Sequence, residues 1–82
     1  NRYNMSFQEV NRLRKSGKLE QAAQLSKIDM EANPCDDWNK RGALWIYYDY
    51  MKLAVANGQI SDFMKQLDNI AQLKLPQSEK IA

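Results

Sequence analysis

Apolar positions along this chain recur at intervals of three and four, the spacing that lines one face of a helix. Phe7, Val10 and Leu13 form the first such run, and Gly17 follows where a helix end needs a residue free to take positive φ. Ser6 and Glu9 bracket the start as a capping box, with the Ser6 hydroxyl placed to accept from the Glu9 backbone N–H and the Glu9 carboxylate reaching back; Met5 and Val10 are placed for a hydrophobic staple. A first helix is therefore expected over residues 7–16. Leu19, Ala22, Ala23, Leu25, Ile28 and Ala32 trace a second, broader stripe, which stops where Pro34 drives Asn33 out of the helical region. The short link through Gly17 requires these helices to fold back on each other.

Asp36 or Asp37 supplies the cap of a third helix that runs to Asn57-Gly58. At about twenty residues it spans about 30 Å and is the longest element expected. Ile60, Phe63, Met64, Leu67, Ile70 and Ala71 then give the clearest amphipathic pattern in the chain, with Pro76 as its stop. No segment alternates with period two, so the expected class is all-α. The expected organisation is a single domain over residues 1–82, built from antiparallel helical hairpins at 7–33 and 37–75, with 76–82 opening a following element that is cut off.

Composition narrows the function classes. With 82 residues the core is marginal unless neighbours extend it, and 44 % apolar against 27 % charged residues is the balance of a folded chain. A net charge of +2 falls short of what several phosphate contacts need, which argues against nucleic acid as the partner. The sequence has no histidine, and a lone cysteine, Cys35, so imidazole chemistry and an internal disulfide are both excluded; a reducing, cytoplasmic location is expected. The apolar stretch 42–56 contains Asp49 and Lys52 and is shorter than the roughly 20 residues a bilayer core demands, so no membrane partner is expected. No paired acid and base, metal-ligand spacing or phosphate loop appears, so the chain is read as no enzyme, with no cofactor and no metal.

Gly17, Leu19, Ala22 and Pro34 stand at the spacing of the glycine, large apolar residue, small alanine and closing proline in the second half of a tetratricopeptide repeat. Glycine makes the turn, alanine lets the helices approach, and proline stops the second helix. Cys35-Asp36-Asp37-Trp38, Gly42 and Trp45 then resemble the start of a second repeat, continued by Gly58, Ile60, Phe63, Leu67, Ile70 and Pro76. The first repeat lacks the family's early tryptophan and glycine, Phe63 replaces the small alanine, and the second unit is lengthened in its first helix. The resemblance covers most of the chain and implies two degenerate repeats in a right-handed stack, with an elongated third helix.

A tetratricopeptide-like stack lines its concave face with the first helix of each pair. The resemblance thus implies a partner-binding face of Phe7, Asn11, Arg14 and Lys15 beside Asn39, Ile46, Tyr47 and Tyr50, suited to an acidic or amphipathic peptide. The family's carboxylate clamp is not expected, because Phe7 and Lys40 stand where lysine and asparagine belong. Trp38, Trp45 and Tyr48 share one helical face and read as core, whereas Tyr47 and Tyr50 point elsewhere and read as contacts. Asp49 is expected at the surface or paired with Lys52, and Arg12, Arg14, Lys15 and Lys18 complement the dipole at the end of the first helix. The functional expectation is a non-catalytic module that binds another protein or peptide segment, self-association included. A structural dimerisation or linker domain is the competing reading.

Overall fold

The computed structural model describes residues 2–75, with side chains from residue 6 onward. Among these residues the chain forms four helices and no strand: α1 (Arg2–Lys15), α2 (Leu19–Ala32), α3 (Asp37–Ala56) and α4 (Ile60–Gln72). The two glycine turns are built alike. Gly17 at φ +80° closes α1, with Lys18 N–H donating to the Leu13 carbonyl at 2.9 Å and Gly17 N–H to Arg14 at 3.3 Å. Gly58 at φ +66° closes α3, with Gln59 N–H donating to Ala54 at 2.8 Å and Gly58 N–H to Val55 at 3.2 Å. Each pair of bonds satisfies carbonyls that a helix end leaves orphaned, and the left-handed glycine makes that geometry accessible.

The middle connection works through side chains instead. Asn33 leaves the helix with φ −152° ahead of Pro34, and the Asp36 carboxylate then caps α3 by accepting from the backbone N–H groups of Trp38 at 2.8 Å and Asn39 at 3.1 Å. The Asn39 amide reaches back to the carbonyls of Asp29 at 2.9 Å and Asn33 at 3.2 Å. One asparagine therefore joins the first turn of α3 to the last turn of α2.

α1 packs on α2 and on α3, α2 packs on α3, and α4 packs on α3. Val10, Leu13, Ala22 and Ile46 form the buried cluster where the first three helices meet, flanked by Leu19, Ala23, Leu25 and Tyr50. Ala43, Leu44, Leu73 and Leu75 form a second cluster that holds the chain after α4 against α3, with Met30, Tyr47 and Ile70 around it.

Two boundaries differ from the sequence expectation. α1 begins at Arg2, so Ser6 lies inside the helix and cannot cap it. The Ser6 hydroxyl instead donates to the Asp29 carboxylate on α2 at 3.1 Å, and Glu9 pairs with Arg12. A tertiary partner has taken the serine, and the residues before it continue the helix. The expected staple rests on the side chain of Met5, outside the described residues. α4 ends at Gln72, short of Pro76, because burying both Leu73 and Leu75 bends the chain; Lys74 between them takes φ 54°. The expected element at 76–82 lies outside the described residues.

A Cβ built on Gly42 would sit 3.7 Å from Val10 Cγ1 and 3.9 Å from Phe7 Cδ1, ordinary contact distances. Gly42→Ala is therefore expected to raise stability in urea melts by about 0.5–1 kcal/mol, the helical cost of glycine, while Gly42→Leu lowers it by about 1–3 kcal/mol through overpacking. Lys74→Gly removes a left-handed non-glycine residue and is expected to stabilise the fold by about 0.5–1 kcal/mol in the same measurement, with relieved strain outweighing the added freedom of the unfolded chain.

Candidate functional site

The residues expected on the face of α1 and α3 fall into several environments. Phe7 and Asn39 are committed to packing: Phe7 lies against the Trp38 ring with centroids 5.0 Å apart, and Asn39 makes its bonds to α2. Ile46 is buried in the core where α1, α2 and α3 meet. Arg14 is held by the molecule itself. Its guanidinium Nη1 donates to Asp49 Oδ2 at 3.0 Å, Nε donates to the Asn11 carboxamide at 3.4 Å, and the cation lies 5.1 Å from the Trp45 ring centre. Lys15 is exposed at the helix end.

The Arg14–Asp49 ion pair is enclosed, with side chains only 14 % and 15 % exposed. Asp49 also pairs with Lys52 at 3.6 Å, as its sequence position leads one to expect, and the long-range partner Arg14 was not legible from spacing. Trp45 is 38 % exposed and meets Tyr48 edge-on at 5.9 Å, so this part of the aromatic face lies at the surface and not in the core. Cations lie over its rings: Arg41 over Trp38 at 4.6 Å, Arg14 over Trp45 and Lys52 over Tyr48 at 5.2 Å. The guanidinium and ammonium groups meet the negative ring faces while water still reaches part of each.

Tyr47 and Tyr50 lie on a different surface. They floor a groove of about 440 Å³ between α2 and α4, together with Ile46. Ala23, Ser26 and Met30 of α2 form one wall with Lys27 and Glu31 at its rim, and Lys65, Gln66 and Asn69 of α4 form the other. Both tyrosines are half-buried. Burial, and then the charge of Glu20, push the Tyr50 phenol above its ordinary range, so it stays a protonated donor through neutral and mildly alkaline conditions. The α4 wall was missed in the sequence, since Lys65, Gln66 and Asn69 read there only as the polar side of an amphipathic helix.

Among the described residues no group of acidic, histidine or cysteine side chains is arranged to hold a metal ion, and no helix is long and apolar enough to cross a membrane. Cys35 is a free, exposed thiol in the turn after Pro34.

The enclosed pair gives a measurable expectation. A double-mutant cycle on Arg14→Ala and Asp49→Ala, followed by urea unfolding, should return a coupling of about 1–2 kcal/mol, as for contacting groups in one network. Lys52→Ala should change the midpoint little, because the lysine side chain is 63 % exposed and its bond is the longer one. Set against family models, curated proteins and solved structures, the chain matches none, so its own surfaces carry the functional reading.

Proposed function

We propose that this chain is a non-catalytic protein-interaction module, and that it takes an extended peptide segment of a partner in the groove between α2 and α4. The observation that carries the reading is the pair of half-buried tyrosines, Tyr47 and Tyr50, on the floor of that groove. Their rings give apolar area at low conformational cost, and their hydroxyls give polar contacts, the combination that dominates binding hot spots. Gln66 and Asn69 on one wall supply amides for a peptide backbone, and Lys27, Glu31 and Lys65 supply charges of both signs at the rim. An amphipathic segment with mixed charge suits this lining better than a strongly acidic one.

The concave face of α1 and α3 is the second surface for the same function, and Trp45 with Tyr48 is what it offers. The groove is favoured because Phe7, Arg14 and Asn39 already spend their bonds and rings within the fold. The finer architecture belongs to the same proposal: two antiparallel hairpins stacked in the right-handed, tetratricopeptide-like manner. It is supported by the matched glycine turns and by the packing of α3 on α1, α2 and α4. The single exposed Cys35 suits a reducing compartment such as the cytoplasm.

The test is selection of binders from a random peptide display library on the immobilised chain, followed by fluorescence anisotropy with the selected peptides. Tyr50→Ala and Tyr47→Ala should each weaken binding about tenfold or more, a loss of about 1.4 kcal/mol or more. A loss with Trp45→Ala and none with the tyrosine variants moves the site to the face of α1 and α3. Failure to select any peptide sinks the peptide-binding reading.

A further inference from the structure

α4 has the most pronounced apolar stripe of the four helices, yet none of its residues is buried. Phe63 and Ile70 are half-buried, while Ile60 is 76 %, Met64 57 % and Leu67 40 % exposed, and Ala71 is open as well. The stripe has an inner half and an outer half. The outer residues 60, 64, 67 and 71 are spaced four, three and four apart, the spacing of a coiled-coil seam. The surface continues onto α3 through Val55, which is 64 % exposed and lines shallow apolar clefts on either side of Phe63 with Tyr48, Met51 and Ile60. Contiguous apolar surface of this kind marks an interaction site.

We propose that this face docks a second copy of the chain, with α4 running antiparallel to the partner's α4 about a two-fold axis between Met64 and Leu67. The sequence of the seam read in reverse complements itself. Antiparallel pairing sets the large Ile60 against the small Ala71 of the other copy, and Met64 against Leu67, so no layer pairs two small residues and the layers are more even than in the parallel arrangement. Parallel pairing sets Ile60 on Ile60 and Ala71 on Ala71, which crowds one layer and leaves a void in another. Charge agrees with volume. Ser61 and Asp68 lie on the same flank of the seam, and antiparallel pairing sets that flank against its own copy, so a hydroxyl stands opposite each carboxylate; parallel pairing sets it against the other flank, with Asp68 on the side of the apolar Phe63 and Ile70. A two-fold axis closes the assembly at two copies. The seam extends about 16 Å at 1.5 Å per residue, so the interface is small and the dimer dissociates on dilution.

This surface lies on the flank of α4 away from Lys65, Gln66 and Asn69, so the inference stands apart from the peptide groove. Sedimentation velocity of the 82-residue chain from about 1 µM to about 1 mM should show the mass rising from 9.6 kDa toward twice that value, the behaviour of a small interface. Met64→Asp should remain monomeric throughout with unchanged helical circular dichroism, because the site is exposed in the single chain, while Tyr47→Ala should still dimerise. Orientation is read on a Cys35→Ser background: Ile60→Cys with Ala71→Cys should give covalent dimers with a short bismaleimide, and each single variant should not. A wild-type chain that stays monomeric up to the highest concentration overturns the inference. So does a dimer that survives Met64→Asp, and so does efficient linking of the single variants.

Discussion

Val10 is the point where the helices of this chain constrain one another. It is almost fully buried among Leu13, Ala22 and Ile46, and the Gly42 backbone comes close enough that an added Cβ would rest on its side chain. α1 approaches α3 over the small Gly42, which leaves room for little more than a methyl group, and the buried cluster takes in α2 through the small Ala22. Close approach at these positions then decides what else can touch. It brings Arg14 within reach of Asp49, Phe7 onto Trp38 and Ser6 to Asp29, contacts that span long stretches of sequence. Each is an expression of the same packing, and none arises within a single helix.

That distinction separates what the sequence made legible from what it did not. The turns at Gly17 and Gly58, the exit at Asn33 before Pro34, the Asp36 cap and the four helices are set by local chemistry: backbone freedom, ring constraint, side-chain oxygens and periodic burial. All were readable from neighbouring residues, with the cap narrowed to Asp36 or Asp37. The errors came where a distant partner outcompeted a local one. Ser6 has capping chemistry, but Asp29 lies opposite it and α1 begins earlier. Leu73 and Leu75 lie beyond the last helical period, and their burial against Ala43 and Leu44, not Pro76, is what ends α4.

The candidate site was legible in residue type more than in placement. Tyr47 and Tyr50 were separable from Trp38, Trp45 and Tyr48 by helical angle, and the structure does put the two sets on different surfaces. Spacing alone does not say which side a third helix covers, so the tryptophan side was read as core and the tyrosines were assigned to the face of α1. In the fold α1 leaves Trp45 partly open beneath Arg14, and Tyr47 and Tyr50 turn toward α2 and α4. Cations over the rings explain how so much aromatic area stays near water without forming a bare apolar patch, since the charged heads themselves lie over the ring faces.

α4 meets the opposite constraint. Among the described helices α4 packs chiefly on α3, which covers only the inner part of its apolar stripe. Phe63 and Ile70 use that neighbour; Ile60, Met64 and Leu67 do not. Local propensity offers no reason for the surplus, since charged or amide residues at the outer positions would serve an exposed helix as well. The apolar stripe runs through residues 60, 63, 64, 67, 70 and 71. Its inner half accounts for the fold, and its outer half has a physical purpose only when something apolar lies against it.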